Sequence, residues 1–255
     1  MTDASDHIVF ITGATSGFGR AAARRFAKGG ARVIGAGRRA ERLEELAQEL
    51  GDKFLPVVLD VGDRDAVAAA FSGLPTEFAE ITILVNNAGL ALDVGPAHEA
   101  DLDAWITMID ANVKGVVCST LAVLPGMVER NRGHIVNVGS VAGNSANPGS
   151  CVYGSTKAFV HRFSENLRAD LLGHDVRVTI IAPGAADTEF MLVRSGGDAV
   201  EAAKKYEGFR AMSSEDIGDT IFSICTLPAM LNVNQIEIMS IDQASGPRAF
   251  YRGNK

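Results

Sequence analysis

The chain has 255 residues, of which 47% are hydrophobic and 22% are charged, and its net charge is −7. This length and balance are typical of an enzyme with one substantial core, and the acidic charge gives no reason to expect nucleic acid or an anionic membrane as a partner. The three cysteines show no paired spacing, and the chain has no basic leader and no apolar run of roughly 18 residues, so we expect a reducing, cytoplasmic location.

Apolar strand-like runs alternate with helix-forming segments along the whole chain. Strands are predicted at residues 8–11, 31–36, 54–61, 81–85, 134–138, 176–181 and 234–241. Helices are predicted at residues 20–28, 41–50, 65–71, 102–128 (two helices separated near Asn112) and 158–172, with a last helix that opens at Ser213. Residues 185–210 are predicted to form a mobile flap with one or two small helices. The alternation predicts an α/β fold with one doubly wound parallel sheet of about seven strands and helices on both faces. We expect a single domain over residues 1–255, with a short tail at residues 1–7.

A glycine-rich loop follows the first predicted strand and precedes the first helix. Such a turn points backbone N–H groups and a helix N-terminus at a pyrophosphate, and its glycines let the ligand approach closely. The spacing G-x-x-x-G-x-G alone fits a turn that serves only helix–strand packing equally well, but its place after the first strand favours a dinucleotide. The candidate cofactor residues here are Gly13, Thr15, Ser16, Gly17, Phe18 and Gly19.

The residues after the second strand indicate which dinucleotide binds. An acidic residue there would bind the ribose 2′-hydroxyl of NAD, whereas an arginine accommodates the 2′-phosphate of NADP. Gly37 is followed by Arg38 and Arg39, with no acid. The sequence therefore favours NADP, with Arg38 as the main phosphate contact. Arg39 is a second candidate, although it could instead lie in solvent and cap the next helix.

The acid/base candidates surround the end of the fifth predicted strand. Tyr153 and Lys157 lie four residues apart and therefore share one face of a helix, and Ser140 follows the strand. The lysine, with a positively charged nicotinamide, is expected to lower the pKa of the tyrosine from about 10 toward neutrality. Ser140 would bind the substrate oxygen, and the side chain of Asn112 would hold a water that passes protons to Lys157. Each residue alone has an ordinary structural explanation, and only the set points to catalysis.

Five motifs carry a resemblance: Thr12-Gly-x-x-x-Gly-x-Gly19, Asn86-Asn-Ala-Gly89, Ser140, Tyr153-x-x-x-Lys157 and Pro183-Gly184-x-x-x-Thr188. Together they resemble the short-chain dehydrogenase/reductase family over the whole chain. The resemblance implies a Rossmann-like fold, hydride transfer with NAD(P), a homotetramer, and a catalytic tetrad of Ser140, Tyr153, Lys157 and Asn112. It implies adenine contacts from Asp60 and Val61, a ribose contact from Asn87 and a nicotinamide contact from Thr188. The remaining cofactor residues that it implies are Ala88, Gly89, Tyr153, Lys157, Pro183 and Gly184.

Four further segments are similar to those of the bacterial NADP-dependent 3-hydroxy acid (serine/allo-threonine) dehydrogenases. They are Gly37-Arg-Arg-x-Glu-Arg-Leu43, Leu84-Val-Asn-Asn-Ala-Gly-Leu-Ala-Leu92, Pro96-Ala-His98 and Leu124-Pro-Gly-Met-Val-Glu-Arg-Asn131. The resemblance implies oxidation of short 3-hydroxy acids such as serine, allo-threonine or 3-hydroxypropionate. The chain departs from this group after Gly184, between Asn144 and Cys151, and from Gln243 to Lys255, which are the segments that choose the substrate.

A 3-hydroxy acid needs a cation for its carboxylate, and Arg194 in the flap is the first candidate, with Arg248 as the second. The substrate residues are therefore expected to be Ser140, Tyr153 and Arg194. The histidines show no metal-ligand spacing, so no metal is expected. Two alternatives stay open: a short-chain reductase of another ketone, sugar or 3-ketoacyl substrate, and a catalytically idle NADP(H)-binding sensor.

Overall fold

The computed structural model describes residues 3–92, 95–204, 206–245 and 250–252. Its strands are β1 (Ile8–Thr12), β2 (Arg32–Gly37), β3 (Phe54–Val58), β4 (Ile83–Asn86), β5 (Gly133–Val138), β6 (Val176–Pro183) and β7 (Gln235–Ile238). All seven pair in parallel in one sheet, in the order β3-β2-β1-β4-β5-β6-β7. The predicted doubly wound parallel sheet is therefore confirmed.

The helices connect successive strands. They are α1 (Gly17–Lys28), α2 (Ala40–Leu50), α3 (Arg64–Ser72), α4 (Thr76–Ala79), α5 (Leu102–Ile109), α6 (Gly115–Glu129), α7 (Cys151–Asp170), α8 (Glu189–Arg194), α9 (Ala199–Lys204) and α10 (Ser214–Cys225). One core cluster joins α1, α2 and α10 to the sheet, and another joins α3, α6 and α7. The sheet therefore carries helices on both faces, as the sequence predicts.

The strand order reverses between β1 and β4, and this reversal fixes where a ligand can bind. Val9 on β1 pairs with Val33 on β2 at one side and with Ile83 on β4 at the other. The chain therefore moves outward from β1 to β2 in one direction and from β4 to β5 in the opposite direction. A crevice opens at such a point, outside the carboxyl ends of the strands. The site is therefore expected beside the loops that follow β1 and β4.

Several predicted boundaries are wrong for identifiable reasons. The strand predicted at residues 54–61 ends at Val58, where its partner strand β2 also ends, at Gly37. Beyond Val58, only the N–H of Leu59 still donates to β2, at the carbonyl of Gly37. The last strand likewise ends at Ile238 rather than at residue 241, and α7 begins at Cys151 rather than at residue 158. The described part of the tail predicted at residues 1–7 packs on the fold, since Ala4 is buried and its N–H donates to Gly29 O.

The predicted break near Asn112 is a π-helical turn (Asp110–Lys114) that joins α5 to α6. The N–H of Gly115 donates to the carbonyl of Asp110, five residues earlier. The extra residue in this turn directs the Asn112 side chain into the interior, where it is fully buried. The helical stretch therefore continues, with a local widening at a residue that the sequence had marked as functional.

Among the described residues, one helical stretch is long and apolar enough by composition to cross a membrane, contrary to the prediction that the chain has no such run. It is the 28-residue run Leu102–Glu129, within which an 18-residue window has a mean hydropathy of 1.4. Its inward side packs against β4, β5 and α3. We interpret it as a core helix, because it buries polar side chains such as Asn112 and Ser119 inside the protein.

A buried histidine on β5 makes the stability of this fold depend on pH. His134 is 1% exposed, and its Nε2 lies 2.8 Å from Thr179 Oγ1. Burial, followed by the positive charges of Arg177 and His7, lowers the pKa of His134 well below its ordinary value of 6.5. As the pH falls below 6.5, the unfolded chain takes up a proton that the folded chain does not, so folding stability present above this pH is lost.

His134→Gln is therefore expected to flatten the acid side of the stability profile. A histidine of this kind contributes up to about 1.4 kcal/mol per pH unit to the slope of the unfolding free energy. Urea unfolding at a series of pH values measures the slope, and His174→Gln is the matched control because His174 is exposed. The control should keep the wild-type slope, and an unchanged slope in H134Q would contradict the assignment.

Candidate active site

The loops at the carboxyl ends of the strands line one open cleft of about 1630 Å³. The cleft runs from Arg38, after β2, to the segment that contains α8. Most of the residues predicted for the site lie on its walls: Gly13, Thr15, Ser16, Gly17, Phe18, Arg38, Arg39, Asp60, Val61, Asn87, Ala88, Gly89, Ser140, Tyr153, Lys157, Pro183, Gly184, Thr188 and Arg194. Gly19 and Asn112 are not part of the lining and support it from behind.

The loop between β1 and α1 is shaped by close backbone contacts. Gly13 has φ +70, and a Cβ on Gly19 would lie 2.4 Å from Gly13 O, so both positions need glycine. Asn87 Nδ2 donates to the carbonyls of Thr12 and Gly13. The first turn of α1 contains no acidic residue. The loop therefore leaves the positive end of a helix open toward the cleft, where an anion such as a pyrophosphate is favoured.

Arg38 and Arg39 have different surroundings. Arg38 is 64% exposed, and its Nη1 lies 3.8 Å from Asp60 Oδ2 at the end of the cleft. Arg39 is held in place, because its Nη2 donates to Thr15 Oγ1 at 2.9 Å and to Ser16 Oγ at 2.7 Å. The guanidinium of Arg38 can therefore rotate to bind a phosphate, whereas the guanidinium of Arg39 is already hydrogen-bonded to the glycine loop.

The segment with α8 is tied across the cleft to the start of α2. Glu189 Oε2 accepts from Arg39 Nη1 at 2.8 Å, and Glu189 Oε1 accepts from Arg42 Nη1. Burial acts to raise the pKa of Glu189, but the hydrogen bonds from the two arginines hold that pKa below its ordinary value of 4.5. Glu189 is therefore a carboxylate at neutral pH and anchors the flap beside the glycine loop.

Ser140, Tyr153 and Lys157 meet at the inner end of the cleft. Ser140 follows β5 and caps the short turn after it, where its Oγ accepts from the N–H of Ala142 at 3.1 Å. Tyr153 is 8% exposed, and its hydroxyl is near enough to Ser140 for the serine to act on the pKa of Tyr153. Lys157, one turn further along α7, donates from Nζ to Val138 O at 2.8 Å. The structure therefore brings together the three groups that the sequence placed in one acid/base set.

The pKa of Tyr153 departs from the expected direction. Burial raises it above its ordinary value of 10.0, and the hydrogen bond to Ser140 and the charge of Arg194 oppose this only in part. Lys157 does not lower it, because its Nζ lies 6.0 Å from the ring centroid and bonds to the backbone. Burial lowers the pKa of Lys157 itself to about 8. Without a cofactor, desolvation of the phenolate therefore sets the direction of the shift, and the lowering expected from Lys157 together with a positively charged nicotinamide stays a prediction.

The side chain of Asn112 is buried behind the cleft and is hydrogen-bonded to other residues of the protein. Its Nδ2 donates to Leu90 O and Thr156 Oγ1, and its Oδ1 accepts from the N–H of Leu90. Both amide hydrogens are therefore used, and the second lone pair of Oδ1 is the position at which the relaying water predicted from the sequence would bind. A Cβ at Gly89 would lie 3.0 Å from Asn112 Oδ1 and 3.4 Å from Lys157 Nζ, so both side chains pack closely against Gly89.

A cation and an aromatic ring lie beside Tyr153 in the cleft. Arg194 Nη2 donates to Ser150 Oγ at 3.1 Å, and its guanidinium carbon lies 5.9 Å from the ring centroid of Tyr153. The ring of Phe190 lies 5.5 Å from that of Tyr153. A positive charge therefore stands beside the buried tyrosine, and the binding of a substrate carboxylate by Arg194 stays a prediction. Arg248, the other candidate for a substrate carboxylate, lies outside the described residues.

Residues 7–195 match the family model of the short chain dehydrogenases. The chain belongs to the short-chain dehydrogenase family. It is 51% identical over 246 residues, 96% of this chain and 99% of the relative, to the NADP-dependent 3-hydroxy acid dehydrogenase YdfG of Salmonella typhi. It is 54% identical over 240 residues, 93% of this chain and 95% of the relative, to sulfoacetaldehyde reductase 2 of Chromohalobacter salexigens. The closed form of a serine dehydrogenase complexed with NADP+ superposes with a TM-score of 0.91 at 52% identity and covers 92% of this chain and 96% of that one.

Some contacts of this short-chain dehydrogenase were not foreseen from the sequence. Thr12 Oγ1 accepts from the N–H groups of Asn87 and Ala88, which locks the loop after β4 onto the loop after β1. Glu189 and Phe190 directly follow Thr188, a predicted cofactor residue. This position in the chain is the sequence feature that could have identified them as residues of the site. Within the described ranges, no group of three or more His, Cys, Asp and Glu side chains is arranged to hold a metal ion.

Proposed function

We propose that this short-chain dehydrogenase oxidises a small 3-hydroxy acid with NADP, and reduces the corresponding carbonyl compound in the reverse direction. The observation that carries the proposal is the guanidinium of Arg194, 5.9 Å from the ring of the buried Tyr153. A cation at this distance from the acid/base group suits a substrate with an anionic group close to its hydroxyl. The relatives named for 3-hydroxy acids and for serine support the same substrate class.

The cleft has the features that NADP requires. Glycines at positions 13 and 19 allow the close backbone packing of the loop before α1, and the first turn of α1 has no acidic residue to repel a phosphate. Arg38 supplies an exposed guanidinium for the 2′-phosphate. The bound cofactor would accept a hydride from the carbon that bears the hydroxyl. The remaining cradle contacts proposed from the sequence are those of Asp60, Val61, Asn87, Ala88, Gly89, Pro183, Gly184 and Thr188.

Ser140, Tyr153 and Lys157 have different roles in proton transfer. Ser140 bonds the substrate oxygen and places it against the hydroxyl of Tyr153, which gives its proton to that oxygen in the carbonyl-reducing direction and, as the phenolate, takes the proton back in oxidation. Burial keeps Tyr153 in the protonated form in the free protein, so the carbonyl-reducing direction finds its proton donor ready. Lys157, whose pKa burial lowers to about 8, can exchange protons near neutral pH and so reset the tyrosine.

Reduction of a sulfonated aldehyde is a second candidate. It is favoured by the 54% identity to a sulfoacetaldehyde reductase and by Arg194, because a guanidinium binds a sulfonate and a carboxylate in similar geometry. Comparing 2-hydroxyethanesulfonate with 3-hydroxypropionate separates the two candidates. A higher kcat/KM for the sulfonate would assign the protein to this second class.

Arg194→Met is expected to raise KM for 3-hydroxypropionate by about 10- to 100-fold, the loss that follows from one charged hydrogen bond. The KM for 3-hydroxypropionamide, which has the same shape without the charge, should stay within about threefold. Initial rates of NADPH formation measure both constants, with Arg194→Lys as the variant that keeps the charge. Equal increases for the acid and the amide would contradict the role of Arg194.

We also propose that the protein is a cytoplasmic homotetramer with a single domain over residues 1–255 and a mobile flap at 185–210. The exposed apolar side chains of the α5–α6 stretch support burial against a second copy. They are Leu102, Ile106, Ile109, Val117 and Leu121. Light scattering on the purified protein tests this proposal, and a monomer at assay concentration would overturn it.

A further inference from the structure

One buried histidine beside the catalytic residues has no part in the reaction described above. His161 lies four residues after Lys157 on the same face of α7 and is 7% exposed. Its ring packs directly on the backbone of the strand end, since a Cβ at Gly139 would lie only 2.3 Å from Nε2. The same nitrogen lies 3.4 Å from the backbone N of Ser140. His161 therefore touches the segment that carries the catalytic serine.

The hydrogen bonds around His161 determine which ring nitrogen carries the proton. Nδ1 lies 2.9 Å from Asn144 Oδ1. The amide of Asn144 is oriented by its Nδ2, which donates to Glu237 Oε2, so its oxygen must accept from the ring. Nδ1 is then the protonated nitrogen, and Nε2 is left as an acceptor for the N–H of Ser140. The other oxygen of Glu237 accepts from Ser245 Oγ at 2.8 Å.

We propose that His161, neutral and protonated on Nδ1, is a positioning residue that fixes the backbone of Ser140 and so aims its hydroxyl at Tyr153. The chain of bonds runs from Ser140 through His161 and Asn144 to Glu237 on β7. Asn144 and Glu237 also line the cleft, so the placement of the catalytic serine is coupled to the wall that faces the substrate. The inference rests on the proposed reaction, in which Ser140 holds the substrate oxygen.

Protonation of His161 would break this arrangement. A proton on Nε2 would face the N–H of Ser140, which would lose its acceptor. Burial and the charge of Lys157 lower the pKa of His161 below its ordinary value of 6.5, while Glu165 on α7 and Glu237 on β7 oppose that shift. The ring is therefore neutral at pH 7, and kcat is expected to fall as the pH drops through this lowered pKa.

Paired variants test the proposal. His161→Phe keeps a ring without an acceptor, and kcat at pH 7 should fall about tenfold or more, with the Kd of NADPH within about twofold. His161→Gln restores an acceptor that does not titrate, so most of kcat should return and the acid limb of the profile, measured between about pH 5 and pH 8, should disappear. Circular dichroism confirms folding at each pH, and His174→Phe is the exposed control. A wild-type kcat in H161F, or an unchanged acid limb in H161Q, would overturn the proposal.

A readout without turnover separates this inference from the proposed function. Nitrogen NMR of the imidazole should show the proton of His161 on Nδ1 in the cofactor-free protein. A proton on Nε2 would overturn the inference whatever the substrate is. If the hydroxy acids are inert but another alcohol is oxidised, the same variants are measured with that alcohol, and only the substrate assignment fails.

Discussion

Tyr153→Phe is expected to lower kcat for 3-hydroxypropionate by about a thousandfold or more, while the Kd of NADPH stays within about twofold of wild type. The substitution removes one oxygen and keeps the ring that packs against Phe190. Proton transfer then has no donor or acceptor at the point where Ser140 holds the substrate. Stopped-flow and steady-state rates measure kcat, and NADPH fluorescence titration measures Kd.

The matched control for this tyrosine is Tyr251→Phe, which makes the same chemical change at an exposed position. It should behave like wild type in both measurements. A Y153F enzyme that keeps more than about a tenth of wild-type kcat, or that loses NADPH binding in step with turnover, would remove Tyr153 from the acid/base role.

Arg38→Ala is expected to weaken NADP by about 10- to 100-fold and to change NAD by less than about threefold. The guanidinium is 64% exposed and has Asp60 as a distant partner at 3.8 Å, so its loss should remove phosphate binding without disturbing the loop. Isothermal titration calorimetry with both dinucleotides gives the Kd of NADP and the Kd of NAD for the variant and for the wild type.

Arg39→Ala gives the comparison that makes the Arg38 result specific. Arg39 bonds Thr15, Ser16 and Glu189, so its loss should loosen the glycine loop and the flap and weaken both dinucleotides to a similar extent. Equal losses of NADP and NAD in R38A would remove Arg38 from the 2′-phosphate site.

The sequence predicted the parts of the site whose causes are local. The glycine loop follows β1 because a short turn must join a buried strand to a helix, and Gly13 and Gly19 stand where side chains would collide. Tyr153 and Lys157 share a face because of helical spacing alone. Because the carboxyl ends of parallel strands lie at one edge of the sheet, the sequence also predicts that Ser140 lies close to Tyr153 and Lys157.

What could not be predicted depends on contacts between distant residues or on burial. Glu189 reaches Arg39 across 150 positions of the chain, and no local pattern announces that pair. The pKa of Tyr153 depends on how completely the fold buries the ring, which the Tyr-x-x-x-Lys spacing does not contain. The sequence does not distinguish His161 from the other four histidines, because its partners Ser140 and Asn144 become its neighbours only when the loop after β5 folds over α7.

The most direct test of the proposed function is the kcat/KM of the wild-type enzyme for 3-hydroxypropionate and 3-hydroxypropionamide, each measured with NADP and with NAD. We expect the acid with NADP to exceed the amide with NADP, and the acid with NAD, by about tenfold or more in each case. A preference for the amide or for NAD would contradict the account, and tight NADPH binding without turnover of any alcohol or carbonyl would assign the protein to the idle sensors instead.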